Sequence, residues 1–113
     1  MRSTVVVTAA LLGLVVACGG DDGTNVTGDV VVGPGNAFSP QTLTLSTKRA
    51  VTWVLAGGTH NVTFEDGATG SGTLTSSAFS RDFTSAAAGT YHYRCTFHSS
   101  SFTSGMIGSV VVP

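Results

Sequence analysis

Residues 91–108, reading YHYRCTFHSSSFTSGMIG, hold three soft or borderline metal ligands in one short segment: Cys95, His98 and Met106. A thiolate, an imidazole and a thioether so close in the chain share one ion at little closure entropy, because the ring is short. The segment lacks a second imidazole, and His60 supplies one from upstream in THNVTF. His₂Cys with a weak axial Met is the ligand set of a blue-copper electron-transfer site, and no commoner metal asks for that mixture. Structural zinc takes four Cys or His ligands, commonly with paired cysteines, and only one usable cysteine is present here. A Cys–His nucleophile is the enzymatic rival. Against it, Cys95 and His98 are separated by only two residues on one turn, and no third residue clearly orients the histidine. Taken singly, Cys95 reads as a small buried hydrophobe, His60 as a core histidine and Met106 as a core methionine filling a gap.

The elements that must position these residues are strands. Val30 and Val32 alternate in a first strand that ends at Gly33-Pro34-Gly35, and Leu43 and Leu45 alternate with threonines. Val51, Trp53 and Leu55 form the next inward row, and Gly57-Gly58 turns the chain. His60, Val62 and Phe64 share one strand face, with Asn61, Thr63 and Glu65 on the other. Residues 66–77 form a Gly/Ser/Thr loop without apolar period. Phe79 and Phe83 bracket another strand. Tyr91, Tyr93 and Cys95 share a face of the next, and Met106, Gly108, Val110 and Val112 share parity in the last. His92 is out of phase with Cys95 and should face away from the site as a surface histidine. Residues 85–88 make at most a helical turn, so the fold class is all-β. About seven short strands separated by turns point to a β-sandwich.

At this point the chain resembles the cupredoxins, in particular the small plastocyanin- and pseudoazurin-like domains. The matching text is Asn36-Ala-Phe38-Ser-Pro40, Val51-Thr-Trp53, His60-Asn-Val-Thr-Phe64, Gly89-Thr-Tyr91-His-Tyr93-Arg-Cys95 and Met106-Ile-Gly108-Ser-Val110. It covers residues 28–113. The resemblance implies a Greek-key cupredoxin sandwich and one copper ion cycling between Cu(I) and Cu(II) on His60, Cys95, His98 and Met106. It implies that Asn61 ties the two ligand loops together. It also implies that His98 presents its ring edge as the electron port, within an apolar docking patch to which Phe102 and Met106 contribute. Related copper enzymes use extra centres with more histidines, and only His92 remains after His60 and His98, so no enzyme is expected. The gap from His98 to Met106 is longer than the family's usual one, so SSSFTSG resembles an insertion of about three residues. Such a loop either bulges into solvent, leaving Met106 axial, or carries Met106 away and leaves a backbone carbonyl near Gly58 or Thr59.

The N-terminus reads as export machinery. Residues 1–17 have a minimal basic start in Arg2, an apolar run from Val5 to Val16 and small residues before Cys18, the pattern of a signal peptide. The run is short of the roughly 20 residues of a membrane span. Val15-Val-Ala-Cys18-Gly resembles the bacterial lipobox, which implies lipidation at Cys18, with residues 18–27 as anchor and flexible tether. A Cys18–Cys95 disulfide is disfavoured, since it would staple a tail to the site. The sequons at Asn25 and Asn61 carry no weight in a bacterial cell. Without Arg2, four basic residues face six acidic ones, too weak a balance for nucleic acid or any strongly charged partner. Gly70-Ser-Gly72 does not follow a strand into a helix and so carries no phosphate-binding weight. The expectation is a monomeric electron carrier with transient redox partners, held by lipid at a membrane and facing the periplasm or cell surface. The alternatives are periplasmic copper binding and delivery by the same ligands, or an interaction domain with an empty site.

Overall fold

A computed structural model describes residues 28–75 and 78–113. They form eight strands: β1 (Val30–Val32), β2 (Phe38–Ser39), β3 (Thr42–Thr44), β4 (Ala50–Leu55), β5 (Thr63–Phe64), β6 (Phe79–Asp82), β7 (Gly89–Arg94) and β8 (Ile107–Val112). One sheet runs β2-β1-β4-β6 and the other β3-β8-β7-β5. β1 pairs β4 in parallel and β3 pairs β8 in parallel, while the remaining pairs are antiparallel. The architecture is the all-β sandwich expected, with eight strands where about seven were predicted. The segment from Phe38 to Thr44 supplies two of them because Pro40 has no N–H to continue a ladder. At that residue the chain leaves the first sheet, where Phe38 pairs Val32, and enters the second, where Leu43 pairs Val110.

Period-two patterning fixes the faces. Val30 and Val32, Val51 and Trp53, Tyr93 and Cys95, and Val110 and Val112 are all buried. A slip of one residue in any of these strands would turn its whole apolar row to solvent, so the register is firmly specified. Trp53 sits at the centre, edge-on to Tyr93 at 5.3 Å and to Phe64 at 5.6 Å. Burying side chains of this size stabilises by roughly 1.5–3 kcal/mol each. Tyr93 lies across its register partner Gly108, where a Cβ would fall 2.4 Å from the tyrosine ring. Burial pushes the Tyr93 phenol up to about 12, so it stays neutral. Arg81 closes the core away from the ligand residues. Its guanidinium lies 4.5, 4.6 and 5.1 Å from the ring centres of Phe64, Phe83 and Tyr91, and it bonds both carboxylate oxygens of Asp66.

The structure departs from the sequence reading around His60. Only Thr63 and Phe64 of the expected His60–Phe64 strand join the sheet. The residues before them are instead tied to the loop that follows β5. Ser71 N donates to Val62 O (3.0 Å), Leu74 N donates to His60 O (2.8 Å), and Val62 N donates to Ser71 Oγ (2.8 Å). Leu74 is buried there, although one leucine in a polar run gives no periodic signal.

Candidate metal centre

Strand direction brings three loops to one end of the sandwich. Parallel β1 and β4 both finish there, and antiparallel β7 finishes where β8 begins. Cys95 follows β7 directly and is buried and free. Its N–H donates to Met106 O (3.0 Å), extending the β7–β8 ladder by one rung, and its carbonyl accepts His98 N–H (3.2 Å). That turn swings the His98 ring back over the sulfur, with Nδ1 3.5 Å from Cys95 Sγ. His60 approaches from the other side, with its Nδ1 3.8 Å from the same sulfur. The ligand atoms of His60, Cys95 and His98 all lie within 4.8 Å of one another. With bonds of about 2.3 Å to sulfur and 2.0 Å to nitrogen, a trigonal opening separates the two donors by roughly 3.7 Å. The observed 3.5 and 3.8 Å fit a single first-row ion between them.

His60 is held from its outer edge. It is 1% exposed, and Nε2 finds no hydrogen-bond partner among the described residues. Gly58 has φ +86°, and a Cβ there would lie 2.6 Å from Nε2. Glycine backbone therefore packs against the ring, leaving Nδ1 to point inward. Burial lowers the pKa of His60 below the ordinary imidazole value, and His98 pushes it the same way. A neutral imidazole with its proton on the outer nitrogen is the tautomer that offers a lone pair to a metal at Nδ1.

The long loop after His98 returns the Met106 backbone to His98 and Cys95. Met106 N donates to His98 O (3.3 Å), so residues 99–105 close on themselves at a neck formed by the two flanking residues. Within the loop, Ser99 Oγ bonds the carbonyls of Ser101 and Ser104. Met106 is 1% exposed and belongs to the core. Across the site, Asn61 Nδ2 donates to Thr96 Oγ1 (2.7 Å) and Asn61 Oδ1 accepts Thr96 N–H (2.9 Å). That reciprocal pair joins the His60 loop to the Cys95 loop.

Residues 29–113 match the family described as copper binding proteins, plastocyanin/azurin family. The chain belongs to this family. Among solved structures, an amicyanin variant in its Cu(I) form is 30% identical, with a TM-score of 0.59 over 74% of this chain and 79% of that one. The oxidised plastocyanin of Dryopteris crassirhizoma is 28% identical, with a TM-score of 0.58 over 74% and 98%. A purple cupredoxin from Nitrosopumilus maritimus shares the fold at 24% identity, with a TM-score of 0.61 over 77% of this chain and all of that one. No curated protein sequence matches the chain. The cofactor of this cupredoxin domain is one copper ion. The donor chemistry agrees, since one buried cysteine sulfur with two imidazole nitrogens suits copper over a hard cation.

His92 lies on the solvent face of β7, away from the cluster, and Cys18 lies outside the described residues. The expected docking patch needs correction. Met106 is buried by the loop neck and contributes no surface, and Phe102 is half-buried against Arg94. The large apolar group exposed at this end of the cupredoxin is Phe97, 51% exposed and 6.5 Å between ring centres from His98. Sequence reading passed over it. A Phe between a Cys and a His ligand carries no period, and the turn at residues 95–98 that rotates it outward appears only in three dimensions.

Proposed function

We propose that this domain carries single electrons in the bacterial envelope, through one copper held by His60, Cys95 and His98 with Met106 as weak axial ligand. The observation that carries this reading is the asymmetry of the two imidazoles about a buried Cys95. His60 is enclosed, whereas His98 is half-buried beside the exposed Phe97. Bound copper supplies the one-electron couple. The protein keeps water from the Cys95 sulfur, encloses the His60 imidazole and offers the His98 ring edge at the surface. Loops anchored by Asn61–Thr96 and by the His98–Met106 neck hold the same donor positions in both oxidation states. Met106 is buried with its backbone bonded to both Cys95 and His98, which supports an axial role.

Around His98 the loops 33–37, 56–61 and 95–106 contain no formally charged side chain. A face of this kind suits brief encounters with redox partners at the small end of interface sizes. We assign the site electron transfer and no catalytic role. The lipobox-like Val15-Val-Ala-Cys18-Gly supports a lipoprotein facing the periplasm or cell surface. Nine tether residues give a reach of about 16 Å. Replacing Cys18 by Ser should release the protein from the membrane fraction; equal partition of both forms would rule out the anchor.

The deciding experiment is addition of Cu(II) to the purified protein. An intense visible band from the copper–thiolate bond is expected, reversibly bleached on reduction and absent in Cys95→Ser. Colourless binding of Cu(I) alone would instead indicate copper delivery, and no binding would leave an interaction domain.

A further inference from the structure

Resting on the copper reading above, we propose that Arg94 is a positioning residue that clasps the 99–105 loop to the sheet and so fixes His98 and Met106. Arg94 is the last residue of β7, paired to Ile107 and immediately before Cys95. Its Nη1 donates to the carbonyl of Ser99, the residue after His98. Its guanidinium also lies 5.2 Å from the centre of the Phe102 ring at the middle of the loop. No carboxylate pairs with it among the described residues, and its Nε is buried without a hydrogen-bond partner. The charge is therefore spent on the loop alone, on one carbonyl dipole and one aromatic face.

The geometry departs from the solvent-directed bulge that the polar composition of residues 99–104 suggests. Phe102 and Thr103 form one wall of a cleft of about 310 Å³ whose other side includes His92, Gly108 and Ser109 of β7 and β8. The loop thus lies back over the sheet. Its two ends are His98 and Met106, joined by the single 3.3 Å neck bond. Any swing of the loop would move both ends together. Arg94 couples it to the most extensively paired strands of the fold, whose register spans six residue pairs. Lysine cannot replace it, because a single ammonium lacks the flat fork that stacks on Phe102 while donating to Ser99.

The test compares wild type with Arg94→Lys, which keeps the charge, and with Phe102→Ala, which leaves the sheet untouched. In the copper-loaded full-length protein both variants should change the EPR parallel splitting and lose copper to a chelator about tenfold faster or more, the scale of a lost outer-sphere partner. In the metal-free protein, amide exchange should show loss of protection at Met106 while Tyr93 and Val110 keep theirs. Wild-type spectrum, copper-loss rate and Met106 protection in both variants would overturn the proposal. A uniform loss of protection that includes Tyr93 and Val110 would also overturn it, since Arg94 would then serve stability alone. Should wild type fail to bind copper, the functional reading falls, and metal-free exchange at Met106 by itself upholds or overturns the clasp.

Discussion

Cys95 sits between two imidazoles that differ in burial, and the difference assigns them different work. His60 is sealed by glycine backbone, so truncating it would open a cavity in the core, whereas truncating His98 opens a hole to solvent. His98→Gly is therefore expected to fold, and added imidazole should refill the vacated position and restore the visible band. His92→Ala should leave spectrum and potential unchanged, because that ring is on the opposite face of β7. Bleaching by His92→Ala would contradict this placement. Met106 is tested by Met106→Gln. A harder oxygen donor favours Cu(II), so the reduction potential should fall while the thiolate band survives. An unchanged potential would place Met106 in the core alone, filling space as methionines do.

At the level of elements, the ligand loops are stiff because each is tied to something regular. The Gly57-Gly58 turn is the tightest of these ties. Gly58→Ala would need a left-handed backbone at a β-carbon that meets the His60 ring at 2.6 Å. A cost of about 1–3 kcal/mol is expected, as for other overpacked sites. It should appear as a lower Tm of the metal-free protein and a shifted thiolate band in the copper form. The Asp66–Arg81 pair ties the loop after β5 to β6 over an aromatic floor. Hydrogen bonding from Arg81 holds the Asp66 carboxyl below the ordinary carboxylate value. Because the folded pKa is depressed, the pair's contribution is complete above the unfolded value of about 3.9 and is lost as pH falls through the folded one. The carboxylate is 40% exposed and screened by water, so Asp66→Asn should cost only about 1 kcal/mol at neutral pH. Denaturation midpoints of the two proteins should begin to converge near about pH 4 and meet once pH has fallen through the lower folded value.

Over the whole molecule charge is balanced, and the three loops around His98 carry none of it, Arg94 beside them being turned onto Ser99 and Phe102. In residues 28–113, Lys48, Arg49, Arg81 and Arg94 match Asp29, Glu65, Asp66 and Asp82. Two of these acids are paired, Asp29 with Arg49 and Asp66 with Arg81. A neutral body with an uncharged docking face has no field to steer a partner, so association depends on apolar contact around Phe97. Electron self-exchange between two copies, read from NMR line broadening in mixed oxidation states, should therefore be nearly insensitive to salt. A change below about threefold is expected as the Debye length shrinks from roughly 30 Å to 3 Å. A steep salt dependence would mean that charges beyond these loops reach the docking face. Phe97→Ala should slow the same exchange without altering the copper spectrum.

Donor types, their order along the chain and the strand faces they occupy were legible in the amino-acid sequence. Those properties are local: ligand identity is a matter of residue chemistry, and strand parity is a matter of period two. Cys95, two residues after Tyr93, had to point inward with it, and His92 had to point out. Pairing between distant segments is not local, and only the tertiary structure decided it. His60 comes within 3.8 Å of a sulfur 35 residues away because β1 and β4 run parallel and end where β7 ends. Ahead of the expected Leu43 strand, Phe38 and Ser39 form a further short one, and Pro40 stands where the chain passes from the first sheet to the second. Leu74 became core through a hydrogen bond to the His60 carbonyl, which no pattern in a Gly/Ser/Thr run announces. The composition of residues 99–104 suggested a solvent bulge, yet the loop folds back because Arg94 on the neighbouring strand offers its carbonyl a donor and its phenylalanine a cation. A polar segment follows whichever partner tertiary structure brings within reach, and that partner is fixed by strands far away in the chain.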